Sequence, residues 1–181
     1  MSEKPRAKIE IRPATARDLG EVVRMHALLM EDQASIGWRE SWPADVDRRA
    51  YFLGRITNPE VFVILAFRDG EIAGYTHASI LPPPRVGLQR RVRRKLRTTL
   101  DRLKGQPSTP PPRVGYSHNT YVLPDHRRFG LARKLLVASV DAMRSAGATT
   151  IRAHVLARNP GMHTLLMDLG FAPLNTEYQL G

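Results

Sequence analysis

The stretch "YVLPDHRRFGLARKLL" (Tyr121–Leu136) passes from alternating, strand-like texture through a proline into three arginines around a glycine, and then into a helical pattern. A helix that begins after such a turn leaves its first backbone N–H groups without partners. The aligned peptide dipoles add partial positive charge at the same end. Helix starts of this kind bind anions. Gly130 lets a ligand approach the backbone, Ala132 keeps the first turn slim, and Arg127, Arg128 and Arg133 add charge. A phosphate suits the motif, and a pyrophosphate would span it best.

Working outward, the chain alternates strands and helices. "KIEIRPA" alternates as a half-buried strand, and Thr15 with Asp18 forms an N-cap pattern opening a helix through Leu19, Val22, Val23, His26, Leu29 and Met30. "WPADVDRRAYFLGRI" reads as a second helix. "VFVILAFRDGEIAGYTHASI" reads as a hairpin turning at Asp69-Gly70. Downstream of the arginines, a helix is expected to run to Gly147, then "ATTIRAHVLA" as a strand, then a helix opened by Asn159-Pro160 and closed by Gly170. "FAPL" and "TEYQL" are expected as closing strands.

Residues 82–113 interrupt this order. Two triple-proline clusters enclose a segment in which Leu88, Val92, Leu96, Leu100 and Leu103 recur at helical spacing. Ten Lys and Arg stand there against one acid, so nine of the eleven net positive charges belong to this segment. It reads as a basic insertion within a single domain spanning 1–181. It carries no interleaved aromatics, so an RNA contact there would be directed at phosphate rather than at bases. An anionic membrane, an acidic protein, a lid role and a solvated helix packed on its own domain are alternatives.

The 181 residues suffice for a real core, and 42% apolar with 25% charged residues is ordinary for a globular protein. With no cysteine, disulfides, thiolate metal sites and a cysteine nucleophile are excluded. No metal is called for. "MSEKPRAK" lacks the apolar core of a signal peptide, and no stretch approaches the roughly 18 apolar residues that cross a bilayer. A cytoplasmic location is the expectation, and the oligomeric state, a homodimer included, is left open.

The same stretch resembles the acyl-CoA signature of the GNAT superfamily of N-acetyltransferases, in which Gln or Arg, two residues, Gly, one residue, then Gly or Ala cradle the CoA pyrophosphate. Arg127, Gly130 and Ala132 fill those positions, preceded by Tyr121, Val122 and Pro124 and followed by Asn159 and Gly170-Phe171. The resemblance covers almost the whole chain apart from the insertion. It implies an α/β (α+β) fold, a central mixed, mostly antiparallel sheet flanked by helices.

It also implies acetyl-CoA as co-substrate, an amine of a small molecule or protein as acceptor, and direct transfer in a ternary complex. Backbone groups of Tyr121, Val122 and Leu123 would pair with the pantetheine arm, and the turn Arg127, Arg128, Phe129, Gly130, Leu131, Ala132, Arg133 would take the pyrophosphate. Asn159 would reach the pantetheine, and the Val122 N–H would meet the oxyanion.

The resemblance breaks at one position. Many family members carry a tyrosine seven residues after the asparagine to protonate the thiolate; here it is Leu166. His163 and Tyr178 are alternatives for that proton. For the base, strand alternation puts Tyr116, His118, Thr120 and Val122 on one face, and His118, mostly neutral near pH 7, is the best available group. Each of these residues is equally compatible with a structural role. For the acceptor, "EDQASIGWRESW" sets Glu31, Asp32 and Glu40 beside Trp38 and Trp42, a composition suited to a cationic or aromatic amine or, alternatively, to solvated acids and core-capping indoles. A catalytically weak acyl-CoA-binding module whose basic helix holds a nucleic acid or acidic partner is the rival reading.

Overall fold

The computed structural model describes residues 7–35, 45–82 and 112–174. Strand β1 spans Ile9–Pro13, helix α1 Leu19–Ser35, α2 Arg48–Thr57, β2 Val61–Arg68, β3 Glu71–Ile80 and β4 Val114–Val122. Then come α3 at Leu131–Ser145, β5 at Thr150–Ala153 and α4 at Pro160–Asp168. The five strands form one sheet in chain order, antiparallel throughout except for the parallel β4–β5 pair. A parallel neighbour requires a crossover, and α3 provides it. The mixed, mostly antiparallel sheet flanked by helices is the expected fold class.

Helices cover both faces of the sheet. On one face Val22, Met25 and Leu29 of α1 and Phe52 of α2 pack against Val63, Leu65, Tyr75 and Tyr121. On the other, Leu131 and Leu135 of α3 meet Ile64, Ala66, Ala73 and Val122, while Met143 meets Ala78 and Ile80. Alternate residues of β2 and β3 serve the two faces, so both strands are apolar almost continuously. Gly74 is required by the close approach of β3 to β4. A Cβ there would stand 2.7 Å from the Tyr121 carbonyl oxygen.

The insertion leaves and returns at adjacent points: the Leu81 N–H donates to the Val114 carbonyl at 2.8 Å. Residues 83–111, with the basic helix expected there, lie outside the described residues. Among the described residues no helix is long and apolar enough to cross a membrane.

Three expected elements differ in extent. The second helix starts at Arg48, where Asp47 caps it by accepting from the Arg49 and Ala50 amides, rather than at Trp42. β5 ends at Ala153, four residues short of Ala157, and its pairing with β4 stops at Ser117. "FAPL" is not a strand. Gly170 turns left-handed at φ 85°, and the Phe171 N–H is spent on the Leu166 carbonyl, so the backbone that would start a strand closes α4 instead. "TEYQL" lies outside the described residues.

The Thr15–Asp18 pattern holds a further partner. The Asp18 carboxylate accepts from the Thr15 N–H at 2.8 Å and from both terminal nitrogens of Arg12, at 2.9 and 2.8 Å. The Arg12 guanidinium holds this carboxyl far below the usual carboxylate range. A depressed carboxyl stabilises the fold above its unfolded pKa of about 4, and that contribution is lost as the pH falls from there. Asp18→Asn is therefore expected to cost about 1–3 kcal/mol in urea unfolding at pH 7, with the difference shrinking below pH 4. An equal difference at both pH values contradicts this.

Candidate active site

β4 is paired on both edges only at its start. β5 matches it from Val114 to Ser117, after which β4 continues to Val122 alone on that side. On the β3 side the Leu123 N–H donates to the Ala73 carbonyl at 2.9 Å. In an antiparallel pair every second residue turns its N–H and C=O to the partner. Tyr121 and Leu123 therefore face β3, whereas Thr120 and Val122 face the edge that β5 has vacated. The Leu123 carbonyl also accepts the His126 N–H. The pairing expected of Tyr121, Val122 and Leu123 with an extended arm thus narrows to Val122, joined by Thr120, which the sequence reading did not assign.

A β-bulge at His118 explains a second correction. Ser117 stands opposite Ala78 and Asn119 opposite His77, leaving His118 as the extra residue. An extra residue reverses the alternation beyond it. Tyr116 and His118 face α1 and α2 together with Tyr121, while Ser117, Thr120 and Val122 face α3. The expected common face of Tyr116, His118, Thr120 and Val122 does not exist. The unbroken period-two pattern carried no sign of the bulge.

His118 is fixed on three sides. Its Nε2 lies 2.7 Å from the Ser79 Oγ, its ring stacks on His77 at 4.7 Å, and the Tyr116 ring is tilted against it at 4.9 Å. Burial, then the cation of Arg55, pushes its pKa down to about 4. His77, 3% exposed, is held well below its usual value, first by burial and then by its neighbours His118, Arg55 and His26. Both imidazoles are neutral at pH 7.

A narrow cleft opens where β4 and β5 part, lined by Ser117, His118, Thr120, His154, Met162 and Leu166 among others. Leu166 is buried in its wall. His163, expected near the reacting thiol, is exposed outside the lining, with its Nε2 3.2 Å from the Leu156 carbonyl. His154 is the titratable lining residue that sequence reasoning missed. It follows the last residue of β5, and only the point where the strands separate marks it.

Beyond β4, Pro124–His126 makes a 3-10 turn and the chain enters α3 through two left-handed residues, Arg128 at φ 66° and Gly130 at φ 73°. Gly130 is the N-cap and has no side chain to cap with. The first helical bond runs from the Lys134 N–H to the Gly130 carbonyl, so the amides of Leu131, Ala132 and Arg133 have no acceptor within the helix.

The arginines divide the work. The Arg127 Nε donates to the Val122 carbonyl at 3.0 Å, its terminal nitrogen pairs with Asp32, and the guanidinium lies 5.6 Å from the Tyr121 ring centroid. It clamps the end of β4 to α1. Arg133 ties α3 to α4 through Asp168 at 2.8 Å. Arg128 has no carboxylate partner among the described residues and is exposed. Arg68, not expected here, lies 3.6 Å above the ring of the half-exposed Phe129 and brings another cation from the β2–β3 hairpin.

A profile of the acetyltransferase (GNAT) family matches residues 24–171. The chain belongs to the GNAT acetyltransferase family. Among curated proteins none matches the sequence. The fold is similar to that of aminoglycoside N-acetyltransferase AAC(6')-Iy in complex with CoA, at 18% identity and a TM-score of 0.68, covering 99% of this chain and 98% of that one. A mutant of the BH1408 protein from Bacillus halodurans is similar at 18% identity and a TM-score of 0.68, covering 95% of this chain and 98% of that one. Ribosomal-protein-alanine N-acetyltransferase from Brucella melitensis biovar Abortus 2308 is similar at 16% identity and a TM-score of 0.60, covering 96% of this chain and 99% of that one. These likenesses concern the fold.

In this GNAT chain Asn159 caps α4, its Oδ1 accepting the Met162 N–H at 3.1 Å, which leaves its amide NH2 to donate. Glu31 is exposed near the end of α1, and its charge reaches Tyr121. Trp38 and Glu40 lie outside the described residues, as does Tyr178. The depressed His118 pKa has a direct readout. Its ring signals in NMR are expected to stay fixed between pH 8 and pH 5, and Arg55→Gln is expected to raise its midpoint. A midpoint near the ordinary 6.5 contradicts the site electrostatics.

Proposed function

We propose that this chain transfers an acetyl group from acetyl-CoA to a primary amine of a small molecule or protein, by direct attack in a ternary complex. The observation that carries the reading is the succession along the chain of two backbone features. One is the edge of β4 that no strand covers and whose Val122 carbonyl meets only the Arg127 side chain, and the other is the three orphan amides at the start of α3. A pantetheine arm is an extended amide chain and suits the first. A diphosphate suits the second, with Arg128 and Arg68 as neighbouring charge.

In this reading the Val122 N–H, turned to the vacated edge of β4, donates to the developing oxyanion. His118, kept neutral by burial, accepts the proton of the attacking amine, with Tyr116 packed against its ring. The thiolate leaves with a proton from His154, which lines the cleft where Leu166 offers none. Asn159 donates to the pantetheine. The acceptor, a cationic or aromatic amine, enters over the face covered by α1 and α2 past Glu31, and Trp38 and Glu40 are assigned to it from the sequence alone. The basic segment within 82–113 is available to an anionic partner.

The alternative, an acyl-CoA-binding module of low activity, draws on the loss of the tyrosine to Leu166. Calorimetry with acetyl-CoA followed by a free-thiol assay over an amine panel separates the two. Binding with turnover supports the transferase, and binding without turnover supports the module. Gly130→Glu is expected to abolish CoA binding while circular dichroism stays unchanged. Gly130→Ala, whose Cβ meets nothing within 4 Å, controls for left-handed strain of about 1 kcal/mol and is expected to keep binding. Unaltered affinity in Gly130→Glu contradicts the placement. His118→Ala is expected to lower kcat by about 100-fold or more.

A further inference from the structure

Ser79 sits near the end of β3, 5% exposed, with its Oγ 2.7 Å from the Nε2 of His118. Among the described residues neither side chain has another hydrogen-bond partner. The ring itself is held in place by the His77 stack, with an interplanar angle of 22°, and by Tyr116. The groups facing it are Arg55 from α2, His26 from α1 through Phe52, His77 from β3 and Tyr116 from β4. No carboxylate is among them, so the hydroxyl of Ser79 is the group that decides where the ring proton resides.

Two placements of that proton are open. If Ser79 donates to Nε2, the ring carries its hydrogen on Nδ1 and has no free lone pair. A substrate amine would then have to hand its proton to the Ser79 oxygen, which burial puts out of reach. If instead the Nε2–H donates to Oγ, the lone pair lies on Nδ1 of a ring that lines the cleft. Only the second leaves His118 a lone pair for the amine's proton, so the base role requires it.

We propose that Ser79 is a positioning residue whose oxygen accepts the Nε2–H of His118, fixing the tautomer that presents a basic Nδ1 to the acceptor amine. The proposal rests on the reading of His118 as the base. The amine nitrogen then bonds to the acetyl carbon while the carbon–sulfur bond breaks, its electron pair leaving on the CoA thiolate that His154 protonates. The amine's proton passes to Nδ1 and makes the ring an imidazolium. Its Nε2–H···O bond strengthens because the donor is now charged. That gain falls on the charged state, the one that burial and Arg55 disfavour.

Long-range 15N–1H NMR on the full chain at pH 7 tests the tautomer without any turnover. The expected result is a protonated Nε2 and an unprotonated Nδ1 on His118, with both tautomers populated in Ser79→Ala. In the free-thiol assay Ser79→Ala is expected to lower kcat about 10- to 100-fold, the range of one hydrogen bond to a charged group. KM for acetyl-CoA should hold, the acidic limb of the pH profile should move to lower pH, and Ser79→Thr should recover most of kcat. A protonated Nδ1 in the wild type overturns the proposal, as does Ser79→Ala with unaltered tautomer and kcat. A His118→Gln variant with full kcat sinks the base reading and the catalytic part of the proposal with it, while the tautomer measurement still judges the Ser79 contact.

Discussion

A β-strand carries hydrogen-bonding groups along both edges, and β4 finds partners for both only as far as Ser117. Buried backbone groups without partners cost free energy comparable to a lost hydrogen bond. The rest of the site follows from how the chain responds to that shortfall. β5 ends at Ala153, the chain swings away to α4, and the carboxyl half of β4 is left with an edge that an extended molecule can complete. The bulge at His118 falls at the same point, so the residue that widens the strand also turns an imidazole towards α1 and α2. Cleft and buried imidazole therefore arise at the same point of the strand.

Electrostatics then sort the polar side chains. At the α3 start, Arg127 and Arg133 are tied to Asp32 and Asp168 and brace neighbouring elements. The free backbone amides and Arg128 stand beside them without a carboxylate partner among the described residues, and Arg68, 3.9 Å from Asp69, lies above Phe129. On β3 and in the middle of β4, burial and Arg55 keep His77 and His118 neutral and disfavour their charged forms. The free amides and the neutral imidazole of His118 are thus separated along a single strand.

Much of this was legible in the residues. Asp69-Gly70, Asn159-Pro160 and Gly170 act through local backbone preferences, and each sits where its chemistry predicts. The arginine-glycine turn was legible because helix starts have a simple physics. What escaped was tertiary. A bulge depends on the register with β3 and leaves no mark on the pattern of "VGYSHNTYVL". Its effect was to reverse the faces of Thr120 and Val122 relative to His118. The role of Arg127 as a clamp depends on Asp32, 95 residues away in sequence. "FAPL" is apolar enough for a strand, yet the requirement to close α4 takes its first amide. His154 and Ser79 acquire their positions only from the parting of β4 and β5 and from the β3 register.

The central claim is that the vacated β4 edge and the free amides of α3 together receive one coenzyme molecule. Amide NMR during a titration with CoA examines it residue by residue. The account predicts saturable shifts, with a common midpoint, at the N–H groups of Thr120, Val122, Leu131, Ala132 and Arg133, while the Leu123 amide, already bonded to Ala73, keeps its position. Saturable binding that leaves all five of those amides unmoved would contradict it.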